Sequence, residues 1–186
     1  EFPDALQNAT FAITDADGKL LLGTNKRGQS VSLELMGRNL DKPKMSMMLD
    51  GPMGKRDVMA ATSRGVSNAR SFEVGDLAEV FENEPNDGVA RAQPTTMPIV
   101  VNGKINQAGD VDTFKIRVPA AQQGVCEVFA QRYGSPLDAL LSISDEKGNI
   151  LQRNDDAMGA DARIEMKLEK DKDYFVSVTD LLGRGG

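Results

Sequence analysis

Short apolar stretches alternate with turn residues along most of the chain, and helical periodicity is nearly absent. That pattern predicts an all-β protein. Residues 30–35 alternate with period two, which puts Val31, Leu33 and Leu35 on one face. Residues 11–14 and 19–22 flank Asp15-Ala16-Asp17-Gly18, a predicted hairpin with an Asp-Gly turn. Two further strands are predicted over 56–61 and 69–74.

Residues 76–97 break the pattern. They carry Glu, Asn, Asp and two prolines with few alternating apolar positions, and read as a linker with a helical turn near 89–93. Strand patterning then resumes. Residues 99–101 lead into 103–105, and 113–118 alternate with Phe114, Ile116 and Val118 on one face. A strand over 124–131 follows. Residues 137–144 and 150–153 predict a second hairpin, and 163–168 and 174–178 alternate again. About seven strands at this spacing predict a β-sandwich. The two halves are not an obvious repeat of one another.

Composition narrows the function. There is no His, which excludes Ser-His-Asp and Cys-His catalysis and removes the commonest zinc ligand. One Cys excludes an intrachain disulfide and any CxxC motif. The net charge of -6 argues against nucleic acid, which needs clustered Lys and Arg. The apolar runs are far below the roughly 20 residues of a membrane span, so no membrane insertion is expected. Aromatics are 5% and Trp is absent, so the cores rest on Val, Ile, Leu, Met and a few Phe, and aromatic platforms for sugars are scarce. No carboxylate pair is marked out for glycosidase chemistry, and the expectation is that this is not an enzyme. The chain begins at Glu1 and carries no signal-peptide pattern, so a targeting signal is expected to lie outside it.

The most pointed chemistry is Glu82, Glu84, Asn86 and Asp87, four oxygen-bearing side chains within six residues, stiffened by Pro85. Calcium takes six to eight oxygens in irregular geometry, and this stretch can supply half of them. Asp110 and Asp112, in a turn just before a strand, can supply more. Gathered carboxylates repel one another unless a cation joins them. The competing reading is a solvated acidic linker with an ordinary Asp-rich turn, and at this level both stand. Asp15 and Asp17 before Gly18 open like an EF-hand loop but lack its third acidic position and its closing Glu, so they read as a turn. Asn154-Asp155-Asp156 reads as a turn with Asx bonds to the backbone. Cys126 shares parity with Val128 and Ala130 and reads as core. Methionines 45, 47, 48, 53 and 59 read as core filling, ahead of an adaptable binding surface or a thioether metal site.

Several of these pieces occur in a telling order: residues 82–87, Val101-Asn102-Gly103-Lys104-Ile105, residues 109–114, residues 135–141, Asp145 to Gly148, Asn154-Asp155-Asp156 and residues 174–178. Over about residues 80–186 this set resembles the bacterial pre-peptidase C-terminal domain. The resemblance implies a jelly-roll β-sandwich of secreted proteins, often appended to proteases and not itself catalytic; in clostridial collagenases a similar domain binds collagen and calcium. Carried over by position, the calcium ligands fall on Glu82, Glu84, Asn86, Asp87, Asp110 and Asp112. The turn at Asp110 is tighter than the collagenase pattern, which weakens Asp110 more than Asp112. Collagen binding in that family uses surface aromatics; Tyr133 and Tyr174 are the two noted in this module, so collagen binding is not implied. The family adds a final strand beyond the last one here, so an open sheet edge is expected. In the first half, Arg27-Gly28-Gln29-Ser30-Val31 and residues 35–40 resemble immunoglobulin-like modules of the TIG type. Residues 65–72, leading into the acidic stretch, are similar to the joint in large multidomain bacterial envelope proteins.

The sequence therefore predicts an immunoglobulin-like β-sandwich over 1–78 and a jelly-roll β-sandwich over 79–186, with its last strand missing. The expected role is binding or spacing within a larger secreted or cell-surface bacterial protein, extracellular or periplasmic, with structural calcium as the cofactor clamping the joint between modules. Its partners are other domains of the same polypeptide and an extracellular protein or polysaccharide. The alternative is a carbohydrate- or peptide-binding module that targets a secreted hydrolase.

Overall fold

A computed structural model describes residues 10–14, 24–36, 41–42 and 44–184. The described residues are almost entirely β, and the chain divides into two compact units, Glu1–Glu79 and Val80–Gly186. No described helix is long and apolar enough to cross a membrane, which leaves β-barrels unaddressed.

The first unit contains β1 (Thr10–Thr14), β2 (Thr24–Lys26), β3 (Ser30–Met36), β4 (Lys44–Met48), β5 (Gly54–Val58), β6 (Ala61–Thr62), β7 (Gly65–Val66) and β8 (Arg70–Gly75). β1-β3-β4 form one antiparallel sheet and β2-β8-β5 a second, with β2 parallel to β8; β6 and β7 pair as a small hairpin. Val31 and Leu33 from β3, Val58 from β5, and Phe72 and Val74 from β8 meet in one core with Leu49 and Ala60. Each sheet thus buries its alternate side chains against the other, which is what the period-two pattern demands. The strand expected over 56–61 begins at Gly54 and stops at Val58. β4 went unread in the sequence: its Met45 and Met47 pack against the core between exposed Lys44 and Ser46. Residues 19–22 and the Asp15-Ala16-Asp17-Gly18 turn lie outside the described residues, and β1 pairs with β3.

The second unit contains β9 (Glu79–Phe81), α1 (Gly88–Arg91), β10 (Gln93–Thr95), β11 (Val100–Asn102), β12 (Val111–Arg117), β13 (Gln122–Glu127), β14 (Ala139–Ser144), β15 (Ile150–Asn154), β16 (Arg163–Leu168) and β17 (Asp173–Asp180). Five strands form a sheet in the order β10-β12-β17-β14-β15, and β11-β9 and β13-β16 pair as two ribbons. Ile116 and Val118, Leu141 and Ile143, and Tyr174 bring the large sheet's inner face against Ile164 and Leu168 of β16. Cys126 and Val128 pack against this core, as their shared parity implies. The sheet's edges are β10 and β15, while β17 is flanked on both sides by β12 and β14.

The segment read as a linker is not one. Within 76–97 lie β9, the helical turn α1 and β10, which adds to β12 as a parallel edge strand. Gln93 joins them: its Nε2 donates to the Phe81 carbonyl and its Oε1 accepts from the Asn83 N–H. The misreading has a simple cause. Its one fully buried side chain is the Asn86 amide, and β9 and β10 have three residues each, so no run of apolar alternation marks it.

Candidate metal centre

Glu82 sits just past β9. Its N–H donates to the Asn102 carbonyl at 2.9 Å, and its Oε1 accepts from the Lys104 N–H at 2.7 Å. Two residues on, Glu84 Oε2 accepts from the Asn86 N–H at 3.0 Å, and its Oε1 accepts from Asn106 Nδ2 at 3.2 Å. Asn86 is fully buried, its carbonyl accepting from the Thr113 N–H at 3.2 Å. Asp112 is the second residue of β12 and is likewise buried. Three chain segments thus converge, and one oxygen each from Glu82, Glu84 and Asp112 lie within 4.8 Å of one another.

The electrostatics of this group are unfavourable as they stand. Burial first, and then the Glu82 charge, push the Asp112 carboxyl up to about 8. Burial also raises Glu82, with Glu84 and Asp110 adding repulsion. Glu82 Oε2, Asp112 Oδ1 and both side-chain polar atoms of Asn86 are buried without a hydrogen-bond partner. Buried polar atoms are nearly always paired, and each left unpaired costs about 1–3 kcal/mol. A hard cation among the three clustered carboxylates would satisfy Glu82 Oε2 and Asp112 Oδ1, and carboxylate and carboxamide oxygens such as these are the donors that calcium takes.

Two residues of the expected ligand set are placed differently. Asp87 forms an ion pair with Arg91 at 2.7 Å on the partly exposed side of α1, and reaches Asp112 only as a backbone bridge. Asp110 is buried, but its Oδ2 accepts from the Asn106 N–H at 2.6 Å and its Oδ1 from the Val111 N–H at 3.1 Å. It closes its own turn and acts on the cluster through its charge. The hydrogen-bond and ion-pair partners of Glu82, Glu84, Asn86 and Asp87 given above all belong to the second unit.

Gly103 and Asn106 contribute without having been singled out. A Cβ on Gly103 would come within 2.6 Å of Glu82 Oε2 and 3.6 Å of Asp112 Oδ2, so only glycine lets the backbone approach this closely. The Asn102-Gly103 pair following a strand was the available signal.

Elsewhere in the unit, Asn154 Oδ1 accepts from the Ala157 and Arg163 N–H groups, the Asx turn expected there. Asp161, buried in a turn before β16, accepts from the Ala130, Gln131 and Arg132 N–H groups and from Arg132 Nε at 2.6 Å. Arg132 in turn reaches Glu127 and the Val128 carbonyl, and its guanidinium covers one face of the Phe129 ring at 4.5 Å. Phe129 is exposed and lies 6.2 Å from Tyr133. Tyr174, by contrast, is buried, its hydroxyl oxygen accepting from the Glu169 N–H. The exposed aromatic partner of Tyr133 is therefore Phe129.

The chain matches no family model. Among curated proteins it is similar to a probable subtilase-type serine protease of Deinococcus radiodurans, 35% identical over 112 residues. That match covers 56% of this chain and 15% of the relative, so the chain spans only a small part of that protein's length. Among solved structures it is similar to the pre-peptidase C-terminal domain of collagenase from Bacillus anthracis, at 17% identity and a TM-score of 0.43, covering 56% of this chain and 93% of that one.

Proposed function

We propose that the second unit is a non-catalytic domain of the pre-peptidase C-terminal type, carried by a larger secreted protease, in which Glu82, Glu84, Asn86 and Asp112 hold a structural calcium ion. The ordered motifs of residues 80–186 and the sequence kinship with part of a subtilase-type protease support the family reading. The calcium reading rests on one observation: three buried oxygens, on Glu82, Asn86 and Asp112, lack any donor around a cluster of three carboxylates. The ion would supply charge neutralisation and nothing catalytic. The chain's own residues orient the oxygens, with Lys104, Asn106 and Gly103 fixing where Glu82 and Glu84 sit. In this reading the first unit is an immunoglobulin-like module of the TIG type, its two sheets packed over one core, and the protein works outside the cytoplasm. Thermal melts with calcium and with chelator test the cation directly. A higher melting point in calcium is expected, and identical curves would end the claim.

A second reading is favoured by one specific feature. The exposed Phe129 ring is braced on one face by Arg132, and Tyr133 stands beside it. Such a ring is a stacking surface for a sugar or a peptide, in keeping with a module that targets its parent enzyme. Binding to immobilised polysaccharide or denatured extracellular protein that vanishes in Phe129→Ala would support it. Equal retention of the two proteins would exclude it.

A further inference from the structure

The methionines that crowd residues 45–59 are sorted by the fold into two kinds. Met45 and Met47 pack against the first core, whereas Met48, Met53 and Met59 are each more than half exposed. The second unit repeats the division: Met97 and Met166 pack against its core, and Met158 is nearly half exposed. Of the eight methionines whose side chains are described, four are exposed and four pack against a core.

The other readily oxidised side chains are scarce or shielded. The sequence has no Trp and no His. Its one Cys is largely buried, and burial pushes the Cys126 thiol up to about 11, so the reactive thiolate is suppressed. A soluble oxidant thus meets the outer methionine sulfurs first.

We propose that Met48, Met53, Met59 and Met158 are sites of sulfoxidation that take up two-electron oxidants such as hypochlorous acid or hydrogen peroxide and spare the core methionines. With peroxide, a sulfur lone pair attacks one oxygen and the O–O bond breaks. The thioether is oxidised by two electrons to the sulfoxide, and the departing hydroxide takes up a proton to become water. With hypochlorous acid the sulfur again gains the oxygen and chlorine leaves as chloride, releasing a proton. A sulfoxide is polar, and at an exposed position it displaces no packed neighbour. At Met45, Met47, Met97 or Met166 it would place a polar group against the core, which is destabilising.

The test uses limiting hypochlorous acid, about four equivalents per chain, followed by peptide mass mapping and thermal melting. Wild-type protein is expected to carry sulfoxide at the four outer positions, with the inner four reduced and the melting curve unchanged. In a variant with Met48→Leu, Met53→Leu, Met59→Leu and Met158→Leu, folded before treatment as judged by its melt, the same dose is expected to reach the inner methionines several-fold more and to lower the melting point. Sulfoxide on the inner methionines of wild type while outer ones stay reduced would overturn the proposal. So would a variant whose inner methionines oxidise no more than those of wild type.

Discussion

Glu82 and Asp112, brought together from the end of β9 and the start of β12, meet carboxyl to carboxyl, with Glu82 Oε2 and Asp112 Oδ1 both buried and no other group donating to either. Two carboxylates so placed need a proton or a metal between them. If the metal is calcium, saturating it at a hundredfold over its dissociation constant adds about 2.7 kcal/mol to stability. Asp112→Asn is expected to abolish most of that gain while leaving a folded protein, since the amide removes the repulsion. Calorimetric titration with calcium checks it; unchanged affinity in the variant would remove Asp112 from the ligand set.

In chelator, the same pair makes stability depend on pH. The folded state holds the Asp112 proton to about 8, whereas an unfolded aspartate releases it near 4. Between those values the folded state binds more protons, so metal-free stability falls as pH rises through this window and levels off above it. Urea denaturation at a series of pH values in chelator should show that decline, and Asp112→Asn should flatten it. Calcium must displace the proton, so its affinity should climb over the same range.

Gly103→Ala separates site geometry from fold. The added methyl would press on Glu82 Oε2, the far end of a flexible side chain, so the chain is expected to fold with Glu82 displaced. Calcium affinity should drop about tenfold, near 1.4 kcal/mol, with the chelator melt little changed. A large loss of stability in chelator would instead make Gly103 a folding residue.

Asp161→Ala should be far more damaging than its surface neighbours suggest. It strands three backbone N–H groups and takes the acceptor from Arg132 Nε, whose guanidinium keeps Glu127, at a cost of about 2–3 kcal/mol. Its carboxyl is held below the ordinary value: burial opposes ionisation, but the hydrogen bonds from Arg132 and the loop amides outweigh it. That stabilisation is present above the unfolded value and is lost as pH falls through the folded one. Denaturant melts of wild type and variant should therefore converge at strongly acid pH.

The strands that alternate cleanly were legible in the sequence. β12 buries Phe114 and Ile116 as its pattern demands, and β16 and β17 fall where Ile164, Leu168 and Tyr174 place them. The acidic stretch was legible as chemistry but not as structure. Glu82 and Glu84 point to a cation from sequence alone, yet β9, which ends just before Glu82, and its partner β11 have three residues each, too few to show an alternation. Asp87 read like a cluster member because spacing does not reveal that Arg91 pairs with it, whereas the tight turn already weakened Asp110, whose carboxylate the Asn106 and Val111 amides occupy. The Asp161 and Arg132 pair was invisible for a related reason: its partners are backbone amides 29 to 31 positions away.

The place of β17 between β12 and β14 also sets a schedule. Val111 pairs with Thr179 and Ala139 with Asp180, so the middle of the large sheet is the last of its strands to be synthesised. Until it is in place, β12 and β14 have no common neighbour. The large sheet therefore cannot be completed before its last strand is present, and folding is expected to be slow for the unit's size because its central pairings are so distant in sequence.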